Sequence, residues 1–120
     1  MMKDSYEIDI GFIITKAPLE SSLGSGFLDL AQKAITDGKT VGLFLISDGV
    51  WFAKKHQKNR SFKILDTLIK QGASVTISKE NLEAAGIKDN ELINGVIVSD
   101  KPYTDLVDLV MEKWRQVMTI

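Results

Sequence analysis

Four short runs of β-branched and aliphatic residues punctuate the chain: "IDIGFIIT" from Ile8, "VGLFLI" from Val41, "VTI" from Val75 and "VIV" from Val96. Each is followed by residues with helical spacing or capping signals. Near-continuous apolar strands need cover on both faces, and strands alternating with helices imply parallel pairing through right-handed crossovers. That alternation is the strongest constraint in the sequence. It predicts one three-layer α/β domain over residues 1–120: a parallel sheet of four to five strands with helices on both faces. No linker, repeat or shift in composition divides the chain.

The helices are read between the strands. After "KAPLESS", Ser21 or Ser22 caps a helix running to about Thr36, with Phe27, Leu30, Ala31, Ala34 and Ile35 on its apolar face and Gly38 closing it. "VWFAKKHQKNR" reads as a short helix or ordered loop. Ser61 is placed to cap "FKILDTLIKQG", where Ile64, Leu65, Leu68 and Ile69 recur until Gly72. "KENLEAAG" and "KDNELIN" read as short helical turns. From Tyr103 a last helix carries Leu106, Val107, Val110 and Trp114, and "QVMTI" suits an edge strand.

Composition narrows the chemistry. The 120 residues are 44% hydrophobic and 26% charged, enough for one self-sufficient core, and the net charge of −1 gives no general pull toward nucleic acid or anionic membranes. No apolar run approaches the roughly 20 residues of a membrane span, and "MMKDSYEIDIGF" lacks a signal-peptide core, so a cytoplasmic protein is expected. There is no cysteine, which removes thiolate catalysis, persulfide chemistry and thiolate metal sites.

Ligands of parallel α/β sheets bind outside the carboxyl ends of the strands. Those ends carry Thr15-Lys16, Ser47-Asp48, Ser78 and Ser99-Asp100. Ser78 precedes a helix and is best read as its N-cap. As a nucleophile it lacks a base: His56 is the only imidazole, and no G-x-S-x-G surrounds it. Asp48 and Asp100 could pair on Mg²⁺, but "SDG" and "SDKP" are ordinary turn sequences, and no metal or cofactor is expected. "TKAPLESSLGSGF" lacks both phosphate-loop signatures, although a helix N-terminus near Lys16 favours an anion; Gly24 and Gly26 are read as close-packing positions in preference. In "AKKHQKNR" the bases Lys54, Lys55, His56, Lys58 and Arg60 read as a solvated face rather than a nucleic-acid surface. Trp51 and Phe52, directly after the second strand, are expected to overhang the strand exits or face another subunit.

Together, "IGFIITKAPLESS", "FLDLAQKAITDGKTVGLFLISDGVWFAKK", "ILDTLIKQGASVTIS" and "LEAAGI" resemble the DsrE/DsrF/TusD family of small sulfur-relay proteins over nearly the whole chain. The "SDGV" after strand 2 and the succession helix, "GASVTI", short helix, "GI" are the most specific parts. The resemblance implies a compact α/β fold assembled into trimers or hexamers, homomeric or mixed with cysteine-bearing subunits. It also implies a persulfide-carrying cysteine at the end of strand 3, eight residues before the glycine of an "RG" pair. Here that glycine matches Gly86, preceded by Ala85, and the cysteine position is Ser78. A serine hydroxyl cannot form a persulfide.

The expected function is therefore non-catalytic: assembly, and binding of a partner or small ligand; the resemblance leaves open both an accessory subunit beside cysteine-bearing partners in sulfur relay and a member with another role. Phe12, Trp51, Phe52 and the Gly24/Gly26 helix would surround a pocket at the strand exits. Its candidate ligand-binding residues are Thr15, Lys16, Ser22, Asp48, Trp51 and Ser78. The alternative is a small anion- or nucleotide-binding protein or enzyme using the same rim, with Thr15, Lys16, Ser21, Ser22 and Ser78 cradling the anion.

Overall fold

The computed structural model describes residues 6–18, 22–55 and 60–120, with side chains described except at 22–25 and 60–62. In chain order come β1 (Ile8–Ile14), α1 (Ser22–Thr36), β2 (Val41–Leu45), a 3₁₀ helix (Ser47–Ala53) and α2 (Arg60–Lys70). There follow β3 (Ser74–Ser78), α3 (Lys79–Ala85), a 3₁₀ turn (Asp89–Glu91), β4 (Val96–Ser99) and α4 (Pro102–Asp108). A π-helical turn (Leu109–Lys113) then leads into β5 (Trp114–Thr119). The strands of the sheet all pair in parallel, in the order β4-β3-β2-β1-β5.

This order decides which helix lies where. From β1 to β4 the chain steps steadily toward one edge, so right-handed crossovers put α1, α2 and α3 on one face. The last connection returns from β4 across the whole sheet to β5, which sends α4 and the π-turn over the other face. The expected helices on both faces are present, three against one. "QVMTI" is the expected edge strand, its register locked to β1 by pairs such as Ile10 with Gln116 and Ile13 with Thr119.

The larger core lies under α1 and α2. Phe12, Ile14, Val41, Leu43, Leu45, Val75 and Ile77 rise from the sheet to meet Phe27, Leu28, Ala31, Leu65 and Leu68. The face of α1 is rotated from the expected one. Leu28 is fully buried and Leu30 is 43% exposed, because at about 100° per residue Leu30 falls well off the stripe centred on Ala31. Phe12, Phe27 and Phe52 form one aromatic cluster, with centroids 5.8 and 5.3 Å apart in successive pairs. Phe12 and Phe52 are both 0% exposed, so they are core residues and not the expected rim of a pocket. The 3₁₀ helix after β2 turns Phe52 back under α2 and leaves Trp51 half-buried against the same core.

Trp114 also departs from expectation. It does not continue the last helix but opens β5, 3% exposed, with its indole lying on Gly11 and Gly42. A Cβ at Gly11 would fall within the ring, so Gly11 is the space in which the indole sits. The helix stops short because the backbone N–H of Trp114 bonds the carbonyl of Leu109, five residues back, and the chain then extends.

Close packing at Gly26 is not found. A Cβ there would meet nothing within 4 Å, while Gly24 lies among residues whose surroundings are outside the described side chains. Gly26→Ala is accordingly expected to stabilise the protein by roughly 0.5–1 kcal/mol, by removing a flexible residue from a helix interior, as read by urea unfolding.

Candidate functional site

The carboxyl ends of the strands gather the residues that the sequence singles out. Registers align Ile14 with Leu45 and Leu45 with Ile77, so Thr15, Ile46 and Ser78 follow side by side, with Ser99 paired to Ser78 at the β4 edge. Most of their polar groups are already in use. Thr15 donates its hydroxyl to the carbonyl of Ile120 at 2.7 Å and its amide to the same oxygen at 3.0 Å, tying the end of β5 to β1. Lys16 is exposed and has no ion pair among the described residues. Ser21 lies outside the described residues, and the side chain of Ser22 is outside the described side chains. Asp48 is exposed in the first turn of the 3₁₀ helix, while Trp51 is half-buried beside the core.

Ser78 is wholly buried, and its Oγ accepts from the backbone N–H of Asn81 at 3.3 Å. That is the N-cap geometry expected from "ISKEN": extended φ and ψ at Ser78, then α3, ended by Gly86 in the left-handed region at φ 74°. Ser78→Ala is expected to cost about 1 kcal/mol, the usual loss for a helix cap, seen as a shift of the denaturant midpoint without a change of slope. At the next strand end, the Ser99 hydroxyl donates to Asp105 at 2.5 Å, and Lys79 approaches Asp100 at 3.6 Å. Asp100 is thus turned toward a lysine and lies in a different strand exit from Asp48. Among the described residues, no group of three or more His, Asp or Glu side chains is arranged to hold a metal ion.

The exit of β1 is covered by the chain itself. Ile46 donates to the carbonyl of Ile14 at 3.0 Å, and Gly49 packs so closely on that carbonyl that a Cβ would collide with it. Ser47, between them, is the non-glycine residue with a left-handed φ, 51°, among the described residues. The "SDG" turn is therefore a tightly fitted cap over β1. The sequence shows the turn, but not this close approach.

The basic run after β2 is only partly in view. Lys54 faces Glu91 at 3.8 Å, and backbone bonds from Lys55 to Glu91 and from Ile93 to Ala53 clip this segment to the 3₁₀ turn before β4. His56 and Lys58 fall outside the described residues, and the Arg60 side chain outside the described side chains.

Two cavities lie at the opposite end of the sheet, where the strands begin. One, of about 600 Å³, is an open groove between the end of α1 and the start of β5, lined by Asp9, Leu30, Lys39 and Arg115 among others. The carboxyl of Asp9 is held below the ordinary carboxylate value, chiefly by hydrogen bonds from the Thr40 amide and hydroxyl at 2.8 and 3.1 Å, so it stays anionic beside the two cations. The other, of about 380 Å³, lies between the sheet and the π-turn and is lined by residues including Glu7, Thr76, Leu109 and Trp114. Nothing in the local sequence marks either one. Both take part of their lining from β5, whose place beside β1 only the strand order reveals.

Comparison with known proteins agrees with this architecture. A solved structure of the ychN protein from E. coli superposes with a TM-score of 0.84 over 94% of this chain and 99% of its own, at 24% identity. The protein of unknown function MTH1491 from Methanobacterium thermoautotrophicum gives 0.75 over 97% and 100%, at 19% identity. In sequence, the chain is 32% identical over 104 residues to the uncharacterized protein MJ0989 of Methanocaldococcus jannaschii, covering 83% of this chain and 90% of that protein. It is also 32% identical over 107 residues to the uncharacterized protein MK0008 of Methanopyrus kandleri, covering 86% and 87%. The sequence profile of the DsrE/DsrF-like family matches residues 9–118. This chain, from the first residues of β1 to the end of β5, belongs to the DsrE/DsrF-like family.

Proposed function

We propose that the protein is a non-catalytic member of the DsrE/DsrF-like family that works by assembly and by binding a partner or small ligand, as an accessory subunit in intracellular sulfur relay. The observation that carries this reading is Ser78. The resemblance puts the persulfide cysteine of active members there, whereas this chain has a fully buried hydroxyl committed to capping α3, and no cysteine anywhere. Persulfide transfer needs a thiolate to attack and hold the sulfur, and a hydroxyl with no base beside it supplies none.

Assembly is supported by the outer side of α4 and the π-turn. Tyr103, Val107 and Met111 recur every four residues and are 68%, 60% and 70% exposed, an apolar stripe on the one helix that covers the second sheet face. A second copy of this chain, or a cysteine-bearing relative of the same fold, is the occupant we assign to it, in a trimeric or hexameric particle. The test is the mass of the native particle. The wild type is expected at a multiple of 13.3 kDa, and a Val107→Glu, Met111→Glu variant with unchanged circular dichroism at a single chain mass. A wild type that is monomeric, both alone and in extracts of its own cells, would overturn the reading.

The anion-binding alternative now rests on Lys16, the rim cation without an ion pair among the described residues. It requires a phosphate-bearing ligand that is retained by the wild type and lost by Lys16→Ala.

A further inference from the structure

We propose that the outer edge of β5 is a two-fold interface with a second copy of this chain, the two strands pairing antiparallel about Val117. This deepens the assembly reading and rests on it. A trimer built through the α4 stripe is doubled to a hexamer by the edge, which is a separate surface.

Hydrogen-bond parity shows what the edge offers. Ile120 donates its N–H to Ile13 and accepts from Thr15, so both of its backbone groups point at β1. The register of β1 with β5 runs without a break from Ile10 and Gln116 to Ile13 and Thr119. Along a parallel strand, residues that bond one neighbour alternate with residues that face away from it. Gln116 and Met118 therefore bond β1 as Ile120 does. Arg115, Val117 and Thr119 turn their N–H and C=O groups outward, where no further strand of the described residues lies.

Exposed edges are commonly defended by shortness, a bulge, proline or lysine. The opposite edge, β4, has only four residues. β5 has six, is regular in register, and contains neither proline nor lysine. It also leaves Val117 and Met118 each 39% exposed. This edge is built to be joined.

Symmetry selects the occupant. In an antiparallel pair, residues of a hydrogen-bonded couple exchange both of their backbone bonds. Only an outward-facing residue can meet its own copy in this way, and Val117 is the central one. With Val117 opposite itself, Arg115 falls opposite Thr119 of the second copy, and every outward donor and acceptor is used. Gln116 then meets Met118 of the second copy in the closer, non-hydrogen-bonded kind of couple, so both exposed apolar side chains gain cover. Arg115, the charged residue of the strand, lies at opposite ends of the two copies. Sliding the pairing to place Arg115 on the axis would oppose two arginines, and placing Thr119 there would strand Arg115 without a partner. One such edge is small beside the roughly 1,200–2,000 Å² of a stable interface, so it holds only where a ring engages several at once. Loss of the stripe alone therefore still releases single chains.

The chain has no cysteine, so a single introduced thiol reports the register. Hydrogen-bonded antiparallel neighbours lie about 5.5 Å apart at Cα, within reach of a disulfide. Val117→Cys, oxidised with copper phenanthroline, is expected to run mostly as a two-chain species on a non-reducing gel. Arg115→Cys and Thr119→Cys alone should give only a trace, since each lies roughly 14 Å from its own copy in this register. Co-expressed, those two variants should cross-link to each other. Val117→Pro removes an outward donor and leaves the bonds to β1 in place, so native mass spectrometry should show a trimer where the wild type gives a hexamer, with unchanged circular dichroism. Equal cross-linking at the three positions, none at Val117→Cys, or a hexamer that survives Val117→Pro would overturn the proposal. A wild-type trimer would overturn it and leave the assembly reading standing, whereas a wild-type monomer would overturn both.

Discussion

Gly11→Ala is expected to lower stability by about 3 kcal/mol, at the upper end of the usual cost of overpacking, because the added methyl occupies the space of the Trp114 ring. Neither neighbour yields easily. Gly11 is in β1, paired on both sides by β2 and β5, and Trp114 is 97% removed from solvent at the point where the π-turn becomes a strand. Relief must come from expelling the indole or from pulling β5 off the edge. Trp114→Ala alone should cost about 3–5 kcal/mol through the cavity it leaves. The double variant should cost clearly less than the sum, since each change removes what makes the other harmful. Urea unfolding of the four proteins measures this cycle. Simple additivity would show that the ring does not sit on Gly11.

Phe52→Ala is the second large effect, about 3–5 kcal/mol, against at most about 1.5 kcal/mol for Trp51→Ala. The two aromatics are adjacent in sequence and unlike in setting. Phe52 is fully enclosed, edge-on to Phe27, whereas Trp51 is half-buried at the margin of the same core. Global stability in a domain of this size is about 5–15 kcal/mol, so the phenylalanine change removes a large share of it. Similar losses at both positions would contradict the assignment of Phe52 to the core and Trp51 to its edge.

These residues show where the sequence is legible and where it is not. The parallel sheet was readable because every run from "IDIGFIIT" to "VIV" is apolar on both faces, and that pattern survives without knowing its neighbours. The edge strand "QVMTI" is readable for another reason: two β-branched residues and a Met with no capping signal suit a sheet edge. The Ser78 cap followed from local chemistry alone, a serine at a strand exit three residues before an amide it can reach. The placement of Phe52 was not readable, since it depends on the 3₁₀ helix turning the chain inward immediately after β2. Trp114 was misplaced because its spacing continues the helical pattern of Val107 and Val110, while two glycines in distant strands decide where it goes. The cavities were invisible because their walls come from segments far apart in the chain, brought together by the last crossover.

The same distinction governs the functional reading. Thr15 looked available at the strand exit, yet its hydroxyl closes the sheet onto Ile120. Asp48 and Lys16 remain exposed on that rim, and two cavities lined by described residues lie at the strands' other end. Ser78, at the position the resemblance singles out, is a fully buried cap of α3. The chain has the family's fold and no cysteine.

Native mass spectrometry of the protein purified from its own cells, followed by the denatured masses of the chains released, tests that account most directly. The account predicts a particle larger than one 13.3 kDa chain, built from copies of this chain or from this chain with a cysteine-bearing relative, in which this chain carries no added sulfur. A solitary 13.3 kDa species, or sulfur covalently held on this chain, would contradict it.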